Sequence, residues 1–563
     1  MIELVAGIVG LVVVTAAVRA FARWSGVPDP IALLVVGIGL SLVPAVPDFR
    51  IDPDLVLVVI LPVLLYGAGF TASVPAFRTH LRPILLLSVG LTIASALAVG
   101  AVAATLVPGL GLAAACALGA VVAPPDAVAA TSVARSIRLP RRVVALLEGE
   151  SLFNDAAALT LLAVAVGAVE GGVPTFGGAV GQFLLVALGG LAVGAVAGLV
   201  LGWVRRRVMH PYTDVVVFLV APFVAYLPAE ELGASGLVAV VVTGLYLGHR
   251  STTIMEPGSR VVTGAVGTAV SWLLEGLVFL LVGLQLRDVV VGISGMSAAV
   301  VAGATVAVVV TLLVVRFAWV LLSEQALPAV LRRRQASWTE TTLTAWAGMR
   351  GAVSLAAVLT LPTVLADGRP FPQRDLIIFV TFVVILVTLL GQGLTLPGLA
   401  RRLPGAGGEV VEEAQEEARA RRLAADAALQ QLEQLEQDEP GRREVVEQLR
   451  RRVQNRIDSA DERLAEADAQ HDQASAETAG RGGTVESVAA ASEDDETADA
   501  GESTTGGGHE GPTRATYRRY GQAMLVAERS RLLALRNAGA LGEEAFVRMQ
   551  HELDLEQAAL LVH

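Results

Sequence analysis

The sequence predicts an all-α polytopic membrane protein with about thirteen transmembrane helices and a helical cytoplasmic tail. Hydrophobic residues make up 54% of the 563 residues, only 17% are charged, and the mean hydropathy is +0.63. Apolar runs recur along the first 402 residues, and most could cross a ~30 Å hydrocarbon layer as helices. Arginine is concentrated in alternate loops between these runs. These observations together indicate a chain that crosses a lipid bilayer many times.

The apolar runs give approximate limits for the expected spans. The first run lacks the basic n-region of a signal peptide, and many similar runs follow, so we interpret it as a retained span. The expected spans are approximately 2–22, 30–44, 54–70, 82–107, 110–134, 147–169, 177–204, 212–227, 232–248, 262–286, 290–323, 341–363 and 374–399.

The arginine-rich loops predict the orientation of the chain. They follow the odd-numbered spans, from Arg19 and Arg23 after the first to Arg401 and Arg402 after the last. Loops rich in basic residues remain on the cytoplasmic side. The N-terminus is therefore expected outside and the C-terminus in the cytoplasm of a protein in the cell inner membrane or plasma membrane.

Helix breakers stand beside a charge in two of the spans. The fifth contains Pro124 and Pro125 before Asp126, and the twelfth contains Arg350 in Gly348–Gly351. Proline removes backbone donors and opens a helix, and paired discontinuous helices are typical of transporters built from inverted repeats. We expect two broken helices that cross, where Asp126 and Arg350 meet and each compensates exposed half-helix ends. A simple kink and a snorkelling arginine are the alternatives.

The sixth span carries the densest polar cluster inside an apolar run, Glu148–Asp155. Ser151 and Asp155 lie four residues apart, on one face of a helix. At ~1.5 Å rise per residue, Asp155 lies roughly 12 Å inside the span. The hydroxyl of Ser151, the amide oxygen of Asn154 and the Asp155 carboxylate are hard ligands for a small cation, and a carboxylate also binds a proton. The cluster predicts a site where the two ions compete; a structural polar network is the alternative.

Two further charges lie within apolar runs, Glu275 in the tenth span and Arg316 in the eleventh. Buried charges need partners. Glu150 and Arg316 both lie toward the cytoplasmic ends of their spans, so they are expected to pair, although Arg316 could instead reach water. Glu275 fits three roles equally: an acid behind the ion site, a lipid contact or a residue of a dimer interface.

These motifs resemble those of the monovalent cation:proton antiporter-1 family, the bacterial sodium/proton exchangers. The similar stretches are 148–155, 124–129 and 348–353, and the resemblance covers roughly residues 2–402. It implies a homodimer with a dimerisation domain and a mobile core domain. It also implies that Asp155 binds cation and proton, with Ser151 and Asp126 near the ion, and that Glu150 pairs with an arginine.

The resemblance also implies an electroneutral exchange of one cation for one proton. Electrogenic relatives have an aspartate where this chain has Asn154, and they often carry a lysine where it has Arg350. The chain departs from the family pattern at Tyr66–Gly69, where many members have a glutamate near Gly67.

We therefore expect a secondary antiporter that exchanges sodium or lithium for protons, not an enzyme, with no cofactor. A potassium/proton antiporter is the alternative within this class, and a non-transporting membrane anchor or sensor is the alternative outside it. The net charge of −11 argues against nucleic-acid binding.

The composition changes after residue 402 and predicts three tail segments. Residues 403–479 are rich in Ala, Glu, Arg, Leu and Gln, which indicates solvated helix. Residues 480–513 have the composition of a disordered linker, and 514–563 that of two amphipathic helices. A tail that regulates transport or braces a dimer, with an unknown partner, and a solubilising appendage are both consistent with this pattern.

Overall fold

The structure is a computed structural model that describes most of the chain. The described residues are 2–44, 55–72, 74, 77, 80–126, 130, 139–171, 176–207, 210–330, 336–365, 367–403, 408–439, 442–480 and 511–562. The chain divides into two compact units, Met1–Ala406 and Gly407–His563.

The first unit is built from helices, as the sequence predicted. Those before the centre of the unit are α1 Ile2–Ser25, α2 Asp29–Ser41, α3 Leu55–Thr71, α4 Leu81–Leu106, α5 Gly111–Val122, α6 Arg141–Val169 and α7 Phe176–Arg207. Those that follow are α8 Pro211–Glu231, α9 Gly236–Ile254, α10 Pro257–Leu284, α11 Leu286–Gly292, α12 Ala298–Val330, α13 Trp338–Trp346, α14 Ala352–Leu359 and α15 Arg374–Arg402.

Within the described residues, eight helices are long and apolar enough to cross a membrane, and α2, α3 and α5 are shorter apolar helices. No strand forms in this part of the chain, where the only extended pairing is an isolated bridge between Val364 and Pro370. Helices satisfy their own backbone hydrogen bonds, which is what a segment inside lipid requires. The predicted fold class, an all-helical membrane protein, is confirmed.

Local sequence explains where several helices begin. Ser337 and Glu340 form a capping box at the start of α13, where each side chain accepts a hydrogen bond from the other residue's backbone N–H. Ser235 caps α9 through the N–H of Val238. Proline occupies the first turn of α2, α8 and α10, where its missing N–H costs nothing. These local signals account for where these helices begin, without any contribution from tertiary packing.

Two sets of helices pack side by side in the first unit. Helix α5 packs against α4 and α6, and α12 packs against α4 and α15. In the other set, α9 packs against α3, α7 and α8, while α2 packs against α10. The first set contains both interrupted stretches of the chain, so it positions the candidate site.

The described part of the second unit forms four helices, α16 Gly408–Asp438, α17 Arg443–Gly480, α18 Gly511–Asn537 and α19 Glu543–Val562. They pack around an apolar core of their own that includes Leu432, Leu449, Leu525 and Phe546. The solvated helix expected in 403–479 and the amphipathic helices expected in 514–563 therefore bury one face against each other. Residues 481–510, most of the expected linker, lie outside the described residues.

Candidate functional site

Helix α6 carries four of the candidate residues on consecutive turns. Asp155 lies in the middle of this 29-residue helix and is only 5% exposed, and Asn154 and Glu150 are also buried. Ser151 is half-buried and lies one turn before Asp155. The sequence prediction that these groups lie deep in a helix agrees with the structure.

The two interrupted stretches cross next to α6. Helix α5 ends at Val122, and α13 and α14 are separated by a non-helical segment between Trp346 and Ala352. The backbone N–H of Asp126 donates to the carbonyl oxygen of Met349 at 2.7 Å. One hydrogen bond therefore joins the two non-helical segments directly.

Arg350 compensates the broken end of α5. Its Nε donates to the carbonyl oxygen of Val122 at 3.1 Å, one terminal nitrogen donates to Ala123 O at 3.2 Å, and the other donates to Gly348 O. The end of a helix carries partial negative charge and unsatisfied carbonyls. A buried guanidinium placed there satisfies both the charge and the hydrogen bonds.

Asp126 and Arg350 meet at the crossing, as expected, but in the described contacts the Arg350 guanidinium makes no ion pair with Asp126. All the hydrogen bonds of the Arg350 guanidinium within the described residues go to main-chain carbonyls. The Asp126 carboxylate instead lies against Gly351, just before α14, where a Cβ would overlap it. Each charge compensates the broken end of the opposite helix, because unpaired backbone groups attract it there.

Glu150 and Arg316 form the expected ion pair. The guanidinium donates to both carboxylate oxygens, at 2.7 and 3.0 Å, and the two side chains are 1% and 0% exposed. Arg316 also donates to the carbonyl oxygens of Ala345 and Thr344, at 3.1 and 3.0 Å. The pair therefore joins α6, α12 and the end of α13, and both charges are fully compensated.

A second, outer ion-pair cluster was not predicted. Arg142 of α6 pairs with Glu324 of α12, and it also donates to Glu340 of α13 at 3.1 Å. Arg142 precedes Glu150 by eight residues, and Glu324 follows Arg316 by eight. Because α6 and α12 run antiparallel, equal spacing with reversed charge brings both pairs into register. That spacing is visible in the sequence and could have predicted the contact.

Asp155 borders a small cavity between α6 and the broken helices. The cavity volume is about 10 Å³, close to that of one water molecule. It is lined by Val121 and Pro124 around the α5 break, by Asp155 and Leu159 of α6, and by Ser354 of α14. In the described part of the chain no basic side chain contacts the Asp155 carboxylate. Among the residues that the structure describes, this buried carboxylate beside a water-sized cavity therefore has no counter-ion.

Asn154 ties α6 to the break in α5. Its amide nitrogen donates to the carbonyl oxygen of Pro125 at 2.6 Å. Its Oδ1 is buried and receives no hydrogen bond from the residues described. Since this amide group is fixed through its nitrogen, its oxygen remains an available acceptor near Asp155.

Glu275 does not lie in the cavity lining. On α10 its carboxylate approaches Arg19 of α1 at 3.7 Å, and Arg19 also approaches Asp29 at 3.6 Å. The Arg19 guanidinium stacks over the Trp272 ring at 4.6 Å. In the described contacts Glu275 takes part in the packing of α1 against α10, and its expected roles, an acid behind the ion site, a lipid contact or a residue of a dimer interface, stay predictions.

Comparison with known proteins gives consistent matches over the membrane unit. The sodium/hydrogen exchanger transmembrane family matches residues 10–402. An uncharacterized Na(+)/H(+) exchanger of Mycobacterium tuberculosis is 38% identical over 439 residues, 75% of this chain and 80% of that protein. The uncharacterized Na(+)/H(+) exchanger YjcE of Escherichia coli is 30% identical over 94% of both chains.

Other relatives are more distant. A sodium, potassium, lithium and rubidium/H(+) antiporter of Bacillus subtilis is 30% identical over 66% of this chain and 57% of its own length. The structure of the sodium proton antiporter MjNhaP1 from Methanocaldococcus jannaschii at pH 8 covers 72% of this chain and all of that one. Its TM-score is 0.56 at 22% identity. The structural likeness supports the same membrane fold.

Proposed function

The chain belongs to the sodium/hydrogen exchanger family, and from this premise we propose that it exchanges one sodium ion for one proton at Asp155. The observation that carries this proposal is the buried Asp155 carboxylate, which no described basic side chain compensates. An uncompensated charge at that depth is costly, so the group takes up a proton or a cation. Occupancy by one ion excludes the other, and this competition couples the two fluxes.

Three neighbouring residues support binding of the cation. Ser151 lies one turn before Asp155 on α6, and Asn154 offers a buried oxygen whose orientation is set by its bond to Pro125 O. Asp126, just after the break in α5, lies close enough to Asp155 for their charges to interact. Hydroxyl, amide and carboxylate oxygens are the ligands that hard cations prefer. We assign Asp155 as the exchanging group and Ser151, Asn154 and Asp126 as additional oxygen donors.

The balance of buried charge supports a one-for-one exchange. Glu150 and Arg316 neutralise each other. Arg350 and Asp126 contribute one positive and one negative charge to the crossing, which leaves Asp155 as the unbalanced charge among these five residues. One sodium ion or one proton brings the site to neutrality. Crossing of the occupied site then moves no net charge, whereas crossing of the empty site would carry a bare carboxylate through lipid.

The transported cation is proposed to be sodium, with lithium as a second substrate. The relative from Bacillus subtilis is named for potassium and rubidium as well, so a potassium/proton antiporter is the second candidate. Sodium and potassium would bind the same oxygen donors. The two candidates are distinguished by whether a sodium gradient or a potassium gradient drives proton flux.

We further propose that the protein acts as a homodimer with its N-terminus outside and its C-terminus in the cytoplasm. Helix α7 exposes a row of large apolar side chains, Leu184, Leu185, Leu188, Leu191, Val196, Leu199, Val200 and Trp203. Such a face suits lipid or a second copy of the helix. Crosslinking between cysteines placed along α7 in native membranes tests the dimer: intermolecular products are expected, and purely intramolecular products would contradict it.

Proton flux in proteoliposomes tests the function. The wild-type protein should acidify or alkalinise the lumen in response to an imposed sodium gradient. Asp155→Asn should lose this flux while it remains folded, because an amide cannot exchange a proton for a cation. Glu275→Gln is the matched control, since it neutralises a membrane carboxylate outside the cavity lining. Normal flux through Asp155→Asn would refute the proposal, and flux driven only by potassium would favour the second candidate.

A further inference from the structure

Thr388 of α15 makes a contact that no motif predicted. It is 2% exposed, and its Oγ1 accepts a hydrogen bond from the backbone N–H of Arg350 at 3.0 Å. The same hydroxyl donates back along its own helix, to the carbonyl oxygen of Val384 at 2.8 Å. The hydroxyl thus links an unbroken helix to the non-helical segment between α13 and α14.

The contact satisfies a backbone group that the break in the helix leaves open. A buried N–H without an acceptor is destabilising, and inside lipid only a nearby protein group or a trapped water can serve as one. The second bond, to Val384 O, orients the Thr388 hydroxyl so that an oxygen lone pair faces Arg350. Arg350 is therefore held at its backbone by α15 while its guanidinium reaches the carbonyl ends of α5.

The same short segment also contacts the ion site. Met349, the residue before Arg350, accepts the backbone hydrogen bond of Asp126, and Gly351, the residue after it, lies against the Asp126 carboxylate. A shift of Arg350 would move both neighbours, and Asp126 with them. The position of one candidate ion ligand therefore depends on where Thr388 holds this backbone.

We propose that Thr388 is a positioning residue for cation/proton exchange, which acts through the backbone of Arg350 on the crossing of the two broken helices. The inference rests on the proposed exchange at Asp155 and adds a residue outside the four assigned to the ion. Thr388 touches neither the cavity lining nor the Asp155 carboxylate in the described contacts, so its effect is indirect.

Helix α15 supplies a matched control. Thr381 lies two turns earlier, is 0% exposed, and donates to the carbonyl oxygen of Ile377 at 2.8 Å. It shares with Thr388 the residue type, the helix, the burial and the bond back along the helix, but within the described residues its hydroxyl makes no hydrogen bond to the α13–α14 segment. A valine at either position keeps the shape of the side chain and removes the hydroxyl. Any difference between the two variants therefore reports the bond to Arg350.

The experiment compares Thr388→Val, Thr388→Ser and Thr381→Val in the full chain. Sodium-driven proton flux is measured against sodium concentration in proteoliposomes, with protein content normalised. We expect Thr388→Val to lower the maximal rate at least about tenfold, because small misplacements of binding groups carry large kinetic costs. Thr388→Ser should restore most of the rate, and Thr381→Val should stay within about twofold of wild type, since it leaves the crossing intact.

Amide hydrogen exchange supplies a readout that is independent of transport. Peptides that cover residues 347–351 should exchange faster in Thr388→Val than in the wild type or Thr381→Val. If wild type and Thr388→Val transport equally well, or if Thr381→Val fails as severely, the positioning role is wrong while exchange at Asp155 stands. If the wild type catalyses no cation-dependent proton flux, the proposed function is refuted, and a positioning role in exchange with it.

Discussion

Two acids on one helix, Glu150 and Asp155, show how partners decide what a buried carboxylate does. They lie five residues apart on α6 and are 1% and 5% exposed. Arg316 contacts both oxygens of Glu150, at 2.7 and 3.0 Å. Asp155 borders a cavity and has no basic partner in the described structure. Burial is therefore common to both acids, and the counter-ion is what differs.

The presence or absence of a basic partner distinguishes a structural role for Glu150 from the transport role proposed for Asp155. The charge of Glu150 is compensated permanently, so it joins three helices and has no need of a mobile ion. Under the proposed exchange, Asp155 obtains its counter-ion from outside the protein, as a proton or a cation.

Breaking the inner pair should give the largest effect on stability. Glu150→Ala and Arg316→Ala each leave a buried charge uncompensated, which typically costs ~3–5 kcal/mol. The double variant should lose less than the sum of the two, because the stranded charge is then absent. Thermal or denaturant unfolding in detergent measures the cycle, and Asp155→Asn should be no less stable than wild type. Additivity within about 0.5 kcal/mol would show that the pair does not couple.

Adding a second carboxylate beside Asp155 should change the electrical character of exchange. Asn154→Asp places another negative charge at the site, and the amide donor to Pro125 O is lost. A charge that crosses the membrane unbalanced couples to the potential by about 2.3 kcal/mol per 100 mV. Exchange by this variant, measured at clamped potentials, should depend on voltage. Voltage-independent exchange at an unchanged rate would count against the charge balance we describe.

Removal of the outer cluster should have a smaller effect. Arg142 has a side chain 27% exposed, and water can partly replace its bonds to Glu324 and Glu340. We expect Arg142→Gln to cost roughly 1–3 kcal/mol, because it removes the charge opposite Glu324, which is only 2% exposed, while the new amide and nearby water can still donate to that carboxylate. The loss should shrink in high salt, because the Arg142 end of the cluster reaches solvent. Unfolding measured at two salt concentrations tests this. If Arg142→Gln lowered the free energy of unfolding as much as Arg316→Ala does, the outer cluster would contribute as much to stability as the inner pair, which contradicts this expectation.

Side-chain chemistry explains what the sequence could predict. The acids of α6, the prolines before Asp126 and the glycines around Arg350 are exceptions inside apolar runs, so they identified the broken helices and the Glu150–Arg316 pair. The helical fold followed from hydropathy in the same way. Each of these features can be predicted from residue type and spacing alone.

Contacts made by the backbone explain what the sequence did not predict. Arg350 was expected at a half-helix end, but the particular carbonyls that it binds become available only because α5 ends at Val122, which the sequence does not specify. The hydroxyl of Thr388 likewise meets an N–H that only the broken geometry exposes. The packed core of the tail helices depends on which faces meet; the sequence predicted helices, two of them amphipathic, but not which faces pack together.

Under the proposed exchange, Asp155 is the one unbalanced charge among five described residues, Glu150, Arg316, Arg350, Asp126 and Asp155 itself, and it carries one sodium ion or one proton. Sodium-driven proton flux in proteoliposomes, with the membrane potential clamped first at zero and then at 100 mV, tests it most directly. Our account predicts equal rates under both conditions and no net current, because the occupied site is neutral with either ion. A rate that changes with potential, or a turnover current, would contradict it.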